Sequence, residues 1–305
     1  MKNLLITGGS GTLGTALIQQ LYNTYNISII SRNEANQHTI KIKYPKVQCY
    51  LCNVEDKTLI YNVYDRVRPD IVIHAAAMKH VNLAEQNPIQ ITKINIGGSL
   101  NIISASTHYQ TPITIGISTD KACNPNSIYG YTKRIMEQCF LNANQSRMKF
   151  ITCRFGNLAG SNGSVIPFWI DLEKQNKALP VTGKDMRRFM FTTAEAVSLI
   201  NEGIQLCTQR DGGFILGKKM KVVQIIDLAH AISHNIIEMP PRLGEVALEY
   251  LISKDDAPYV KLLDNDYFLI DTQQHNETLP YSTNNADIMT SVEIRTLLQE
   301  CQNEN

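Results

Sequence analysis

NLLITGGSGTLGTALIQQLYN, residues 3–23, decides the fold. Residues 3–7 are a short apolar run of strand length. A turn from Gly8 to Gly14 follows, and then a stretch with helical spacing. Strand, glycine-rich turn and helix in that order form the context of a dinucleotide site. Gly8 allows the tight turn, Gly11 lets backbone approach a pyrophosphate, and Gly14 lets the helix pack closely on the strand. Ser10, Thr12 and Leu13 lie between them on the same turn. The free N–H groups and positive dipole end of the helix then face the phosphates.

Working outward, ISII (27–30) ends in Ser31-Arg32, where an acidic residue usually holds the ribose of NAD. Serine and arginine instead suit a 2′-phosphate, so NADP is expected over NAD. KVQCYLCNV (46–54), DIVIHAAA (70–77), TPITIGIST (111–119) and ITCRFGNL (151–158) read as further strands, and a helix is expected after Asn95. Near-continuous apolar strands alternating with helices indicate an α/β, Rossmann-like doubly wound parallel sheet. Ligands of such sheets sit outside the carboxyl ends of the strands. The glycine turn, Asn53-Val54, Ala75-Ala76-Ala77 and Thr119 all fall there.

STDKACNPNSIYGYTK (118–133) carries the chemistry. Tyr129 and Lys133 are four residues apart, on one face of a helix. An ammonium beside a phenol is expected to lower its pKa and make it a base toward a sugar hydroxyl. Asp120 and Lys121 add an acid and a base. Oxidation needs only the tyrosine and lysine, whereas elimination needs all four. His74 reads as a satisfied strand-end histidine.

The pattern changes beyond residue 160. The expected division is 1–160 as the cofactor domain and 161–305 as mainly a smaller substrate-binding domain, with about 186–217 returning to pack on the first. QQHNETLPYSTNNADIM (273–289) is polar, with LPYSTN expected as a docked turn.

The chain has 305 residues and a formal net charge of +1 without a basic stripe, which argues against nucleic acid as a partner. No apolar run approaches the roughly 18–20 residues of a membrane span. MKNLLITGGS enters the cofactor strand at once, with no signal peptide expected, and seven scattered cysteines fit a reducing cytoplasm. Cys49 and Cys52 lie on a strand, where an offset of three points them to opposite faces, so no metal or redox site is expected.

These motifs together resemble extended short-chain dehydrogenase/reductases, and more narrowly the soluble UDP-N-acetylglucosamine 4,6-dehydratases, including the C-5-inverting type. TGGSGTLG, SRNE, HAAAMKHVNLAEQNP, STDKACNPNSIYGYTK, RFGNLAGSNGSVIPF, MRRFMFT and RLGE fall in family order from Lys2 to about Leu298. Related dTDP-glucose dehydratases have glutamate where Lys121 stands, and sugar 4-epimerases lack the acid–base pair.

The resemblance implies a lyase of polysaccharide biosynthesis that holds and recycles NADP and commonly assembles as a homo-oligomer. Tyr129, assisted by Lys133, would take the proton of the sugar 4-hydroxyl, with Thr119 bonded to the same oxygen. Lys121 would remove the C-5 proton and Asp120 would help hydroxide leave C-6. Partial burial, the nicotinamide and Lys133 are expected to depress the Lys121 pKa, whereas Asp120 pushes the other way. The resemblance also assigns Lys79, Asn157, Ser164, Val165, Arg188, Arg242 and Glu245 to the UDP-sugar.

Departures fall in the substrate pocket. The family's RPGEK-x-HE reads RLGEVALE over 242–249, Asn162 replaces a basic residue, Asn53 stands where aspartate is frequent, and Met190 replaces tryptophan. The alternatives are a nucleotide-sugar 4-epimerase, which would keep the sugar's mass, and a non-catalytic NADP-binding sensor, which would not need Tyr129 and Lys133.

Overall fold

The computed structural model describes residues 1–275 and 278–303. Strands β1 (Asn3–Thr7), β2 (Asn26–Ser31), β3 (Gln48–Leu51), β4 (Ile71–His74), β5 (Ile113–Thr119) and β6 (Lys149–Phe155) pair in parallel in the order 3-2-1-4-5-6. Strand Ile215–Lys218 extends the sheet in parallel beyond β6, and Tyr267–Ile270 and Val260–Leu262 close that edge in antiparallel pairing. The expected doubly wound sheet is therefore present, and it takes three of its nine strands from beyond residue 160.

The sheet is buried on both faces, which explains the unbroken apolar strands. Leu4 and Ile6 pack with Leu17 and Ile18 of α1 (Thr12–Leu21) and with Val197 and Ile200 of helix Thr193–Gln209. Leu5 points the other way, with Ile60 and Tyr64 of helix Lys57–Val67 and Ile102 of helix Gly98–His108. A second core around Trp169, Val181, Val223, Leu228 and Leu297 holds the smaller lobe.

Two strands end earlier than their apolar runs suggested. β4 stops at His74 instead of reaching Ala77, because Thr7 Oγ1 accepts Ala76 N–H at 3.2 Å and Asn95 bonds both backbone groups of Met78. Side chains there replace a strand neighbour, and the chain lifts off the sheet. β3 stops at Leu51, just before Asp56 caps the next helix by accepting Leu59 N–H. The helix expected after Asn95 begins earlier: a turn over Pro88–Ile91 runs on through a π-helical turn over Thr92–Gly97, which buries Asn95, into Gly98–His108. Within 273–289, residues 276 and 277 lie outside the described residues. LPYSTN is docked: Tyr281–Ser282 pairs with Tyr250–Ile252, and Tyr281 donates to Met220 O at 2.9 Å.

Candidate active site

β1 lies between β2 and β4, so the winding direction reverses at the carboxyl ends of β1 and β4. A cavity of about 1340 Å³ opens there. Gly8 turns with φ +69°, and a Cβ on it would sit 2.8 Å from Ala76 N. At Gly14 a Cβ would lie 2.5 Å from Gly9 Cα, so the turn closes on itself only with glycine. Gly11 caps α1 with no side-chain hydrogen bond, leaving the first N–H groups of the helix to a ligand. This cradle fits the pyrophosphate of a dinucleotide.

Ser10, Thr12, Leu13, Ser31, Arg32, Asn53, Val54 and Ala75–Ala77 line the same cavity. Ser31 Oγ accepts from Gln37 Nε2 at 2.9 Å, whereas Arg32 is exposed. Asn53 donates to Glu55 Oε2 at 2.6 Å.

The catalytic segment is built by a strand end and a capped helix. β5 is buried along its whole length and delivers Thr119. Ser127 caps helix Ile128–Ala143 by accepting Gly130 N–H at 3.1 Å, and Tyr129, Lys133, Met136 and Phe140 form its buried face. A Cβ at Gly130 would lie 2.4 Å from Lys121 O, so the missing side chain lets the helix approach the Asp120–Lys121 turn.

Thr119 Oγ1 donates to Asp120 Oδ1 at 2.7 Å and lies beside the Tyr129 phenol. Lys121 Nζ reaches Asp120 Oδ1 at 3.1 Å, Asn157 Oδ1 at 3.1 Å and Glu249 Oε1 at 3.2 Å. Lys133 Nζ donates to Ile117 O at 2.7 Å.

The electrostatics differ from expectation at two groups. Burial pulls the Lys121 ammonium down, but Asp120 and Glu249 outweigh it and hold the group above its ordinary value, where a depressed one was expected. The Tyr129 phenol is pushed up to about 12 by burial, rather than lowered, and the cation opposing that rise is Lys121. Lys133 is pulled down to about 8 by burial, with its charge drawn toward the Ile117 carbonyl. His74 is the satisfied histidine the sequence suggested: it bonds Thr7 at 2.7 Å and Ser99 at 3.1 Å, and burial first and Lys133 second lower it to about 3.

Most of the remaining candidates converge on the cavity. Lys79 Nζ donates to Asn162 O at 2.8 Å, and Asn162 N–H donates to Thr12 Oγ1 at 3.1 Å, so loop 160–164 lies over the glycine turn. Ser164 precedes helix Val165–Lys174, and its Oγ is buried with no hydrogen-bond partner among the described residues. Arg188, Arg242 and Glu245 line the far end, with Glu245 held by Thr182 Oγ1 at 3.1 Å and Arg242 N–H at 2.9 Å.

Two candidates stand back from the cavity. Val165 packs against the second core, and Asp120 is buried behind Lys121. Sequence reasoning missed Glu249, although it ends the RLGEVALE stretch and keeps the family's glutamate.

A family profile described as polysaccharide biosynthesis protein matches residues 4–269. The chain is 37% identical over 280 residues to the UDP-N-acetylglucosamine 4,6-dehydratase (inverting) of Campylobacter jejuni, covering 87% of this chain and 82% of that one. The solved structure of Pen from Bacillus thuringiensis superposes with a TM-score of 0.91 at 28% identity, covering 99% and 98% of the two chains. The UDP-glucose 4-epimerase of Thermus thermophilus in complex with NAD superposes at 0.73 and 15% identity over 98% of each chain, a likeness of fold.

Proposed function

The chain belongs to the polysaccharide biosynthesis protein family, and from that premise we propose that it is a UDP-N-acetylglucosamine 4,6-dehydratase. The observation that carries this reading is Lys121. It stands beside a tyrosine–lysine helix, with a carboxylate on either side of its amine. Epimerisation at C-4 needs a proton taken and returned at one oxygen; a second base and acid are needed only when a C–H and a C–O bond both break.

In this reading Tyr129 takes the proton of the sugar 4-hydroxyl, and Thr119 bonds the same oxygen. Lys133 supplies a positive charge from the same buried helix face. The nicotinamide, when bound, supplies the hydride acceptor for C-4 and the hydride returned to C-6. The 4-ketone acidifies C-5, Lys121 removes that proton, and Asp120 protonates the departing C-6 hydroxyl.

The dinucleotide would rest on Gly8–Gly14, Asn53-Val54 and Ala75–Ala77. Arg32, exposed at the end of β2, supports NADP over NAD. The Ser164 hydroxyl, unpartnered among the described residues at a helix start, and the Arg188 and Arg242 guanidiniums supply donors for a diphosphate, with Lys79, Asn157 and Glu245 around the remaining nucleotide sugar. The substrate lobe is residues 161–305 less the strands lent to the main sheet and the helix Thr193–Gln209 packed on it.

Among the described residues no helix is long and apolar enough to cross a membrane. Among the described residues Cys49, Cys52, Cys123, Cys139, Cys153 and Cys207 form no disulfide, which suits the cytoplasm. Exposed Leu100, Tyr131 and Ile135 on neighbouring helices offer a face to a second copy.

Incubation with UDP-N-acetylglucosamine and NADP in D₂O, followed by NMR and mass spectrometry, tests the reading. Loss of water with deuterium at C-5 is expected, and the ring couplings report whether that carbon inverts. A 4-epimer of unchanged mass would replace the dehydratase with an epimerase.

A further inference from the structure

Glu249 is the buried group in the cavity that the reaction above leaves without work. Its backbone is fixed independently of its carboxylate: Glu249 N–H donates to Thr283 Oγ1 at 3.3 Å, and Thr283 N–H returns a bond to Glu249 O at 2.9 Å. The side chain is 3% exposed. Oε1 meets Lys121 Nζ at 3.2 Å and Arg188 Nε at 3.5 Å, while Oε2 is buried with no hydrogen-bond partner among the described residues.

A carboxylate oxygen buried without a donor is costly unless it carries or shares a proton. Its neighbour Asp120 is arranged to share one. Asp120 Oδ1 accepts from Thr119 Oγ1, Lys121 N–H and Lys121 Nζ, whereas Oδ2 has a 3.4 Å contact with Lys121 Nζ.

We propose that Glu249 is a positioning residue for the elimination, pairing with Asp120 to hold one proton given up by Lys121, so that a neutral amine and a carboxylic acid stand side by side. The inference rests on the dehydratase reading. The charged groups facing Glu249 are Asp120 and Lys121 after β5 and Arg188 on strand Arg187–Phe191; Tyr129 faces Lys121 from its helix. Two cations and two carboxylates sum to zero. Moving the Lys121 proton onto the carboxylate pair keeps that sum, whereas losing it to solvent would leave a net negative charge in a buried site. Two adjacent carboxylates favour one shared proton for the same reason. Burial first, and Asp120 second, push the Glu249 carboxyl up to about 7 against Lys121 and Arg188.

The protons balance. The amine takes the C-5 proton, the C5–H electron pair becomes the C5–C6 double bond, and the C6–O bond breaks. The oxygen leaves as water with the proton of the carboxylate pair. Lys121 is then an ammonium between two carboxylates, the arrangement observed, and it returns a proton to C-5 when hydride reaches C-6. The proton Tyr129 took from the 4-hydroxyl refills the pair through Thr119, whose hydroxyl donates to Asp120 and lies beside the Tyr129 phenol.

The test compares the wild type with Glu249→Gln and Glu249→Asp, using UDP-N-acetylglucosamine and NADP. Nicotinamide absorbance follows C-4 oxidation, and mass spectrometry follows water loss. In Glu249→Gln, oxidation is expected within about twofold of wild type and elimination slowed about 100-fold, so reduced nicotinamide and 4-ketone accumulate. The wild-type elimination rate should rise with pH through about 7, as the doubly protonated cluster loses a proton, and in Glu249→Gln that limb should move to lower pH. Glu249→Asp keeps a carboxylate and should restore most of the elimination and the limb. Elimination in Glu249→Gln within about threefold of wild type would overturn the proposal. So would oxidation and elimination falling by one common factor in both variants, which marks a structural role. Wild type that releases no water overturns the dehydratase reading itself, and the variants are then not its test.

Discussion

Thr119 ends β5, a strand whose seven residues are all buried, Asp120 and Lys121 follow it, and Tyr129 and Lys133 project from one face of a capped helix. Across the cavity, residues 240–249 contain neither helix nor strand, and Leu243 is 71% exposed. Regular elements hold the first region to one geometry, because strand and helix fix side-chain directions. Long-range anchors hold the second. Tyr250–Ile252 pairs with Tyr281–Ser282, and the buried Arg154 donates to Leu251 O at 3.0 Å and to Asp256 Oδ2 at 2.8 Å. The same guanidinium donates to both carboxylate oxygens of Glu137, on the catalytic helix, at 2.9 and 2.8 Å. RLGEVALE, the longest departure from the family pattern, lies in the second region, where an irregular backbone tolerates substitution. In the proposed reading, chemistry thus sits on the rigid side and substrate selection on the adaptable one.

The sharpest way to break this contrast is Lys121→Met. It should abolish water loss while nicotinamide titration shows cofactor binding unchanged, because the glycine turn does not depend on Lys121. Normal dehydration would remove Lys121 from the mechanism and leave the rigid corner without its second base.

Arg154→Met tests the joint between the two regions. It leaves Glu137 and Asp256 buried with only the partly exposed Arg134 between them; Asp256 is pushed up by burial and now held at about 2 by Arg154 and Arg134. Breaking a buried pair from one side costs about 3–5 kcal/mol. Urea unfolding should show a loss of that size, with faster amide exchange over 249–256 than in β5. A loss below about 1 kcal/mol would mean that the lobe is held elsewhere.

Arg32→Ala is the mildest. Removing a charged donor from the 2′-phosphate should weaken NADP about tenfold relative to NAD, measured as the ratio of the two dissociation constants. An unchanged ratio would leave Arg32 stacking on the base and move cofactor choice to Asn53 and Glu55.

Much of the rigid side is legible in the sequence. The 3–23 stretch specifies strand, turn and helix, and the spacing of Tyr129 and Lys133 specifies a shared helix face. The strand limits at β3 and β4 are less legible, because Asn95, Thr7 and Asp56 end them through hydrogen bonds that no apolar pattern contains. The charge state of Lys121 runs opposite to expectation for a related reason. Neighbouring Asp120 is visible in the sequence, but the second carboxylate is not.

The sequence by itself determined the doubly wound sheet, the glycine turn and the shared helix face of Tyr129 and Lys133, because each rests on periodicity or spacing within a few turns of chain. Only the tertiary structure decided that Glu249, far along the chain, lies 3.2 Å from Lys121, that loop 160–164 covers the glycine turn, and that Arg154 ties the lobe to the catalytic helix. Those contacts join residues distant in sequence. The burial that sets their charges exists only once both sides of the cavity have folded against each other.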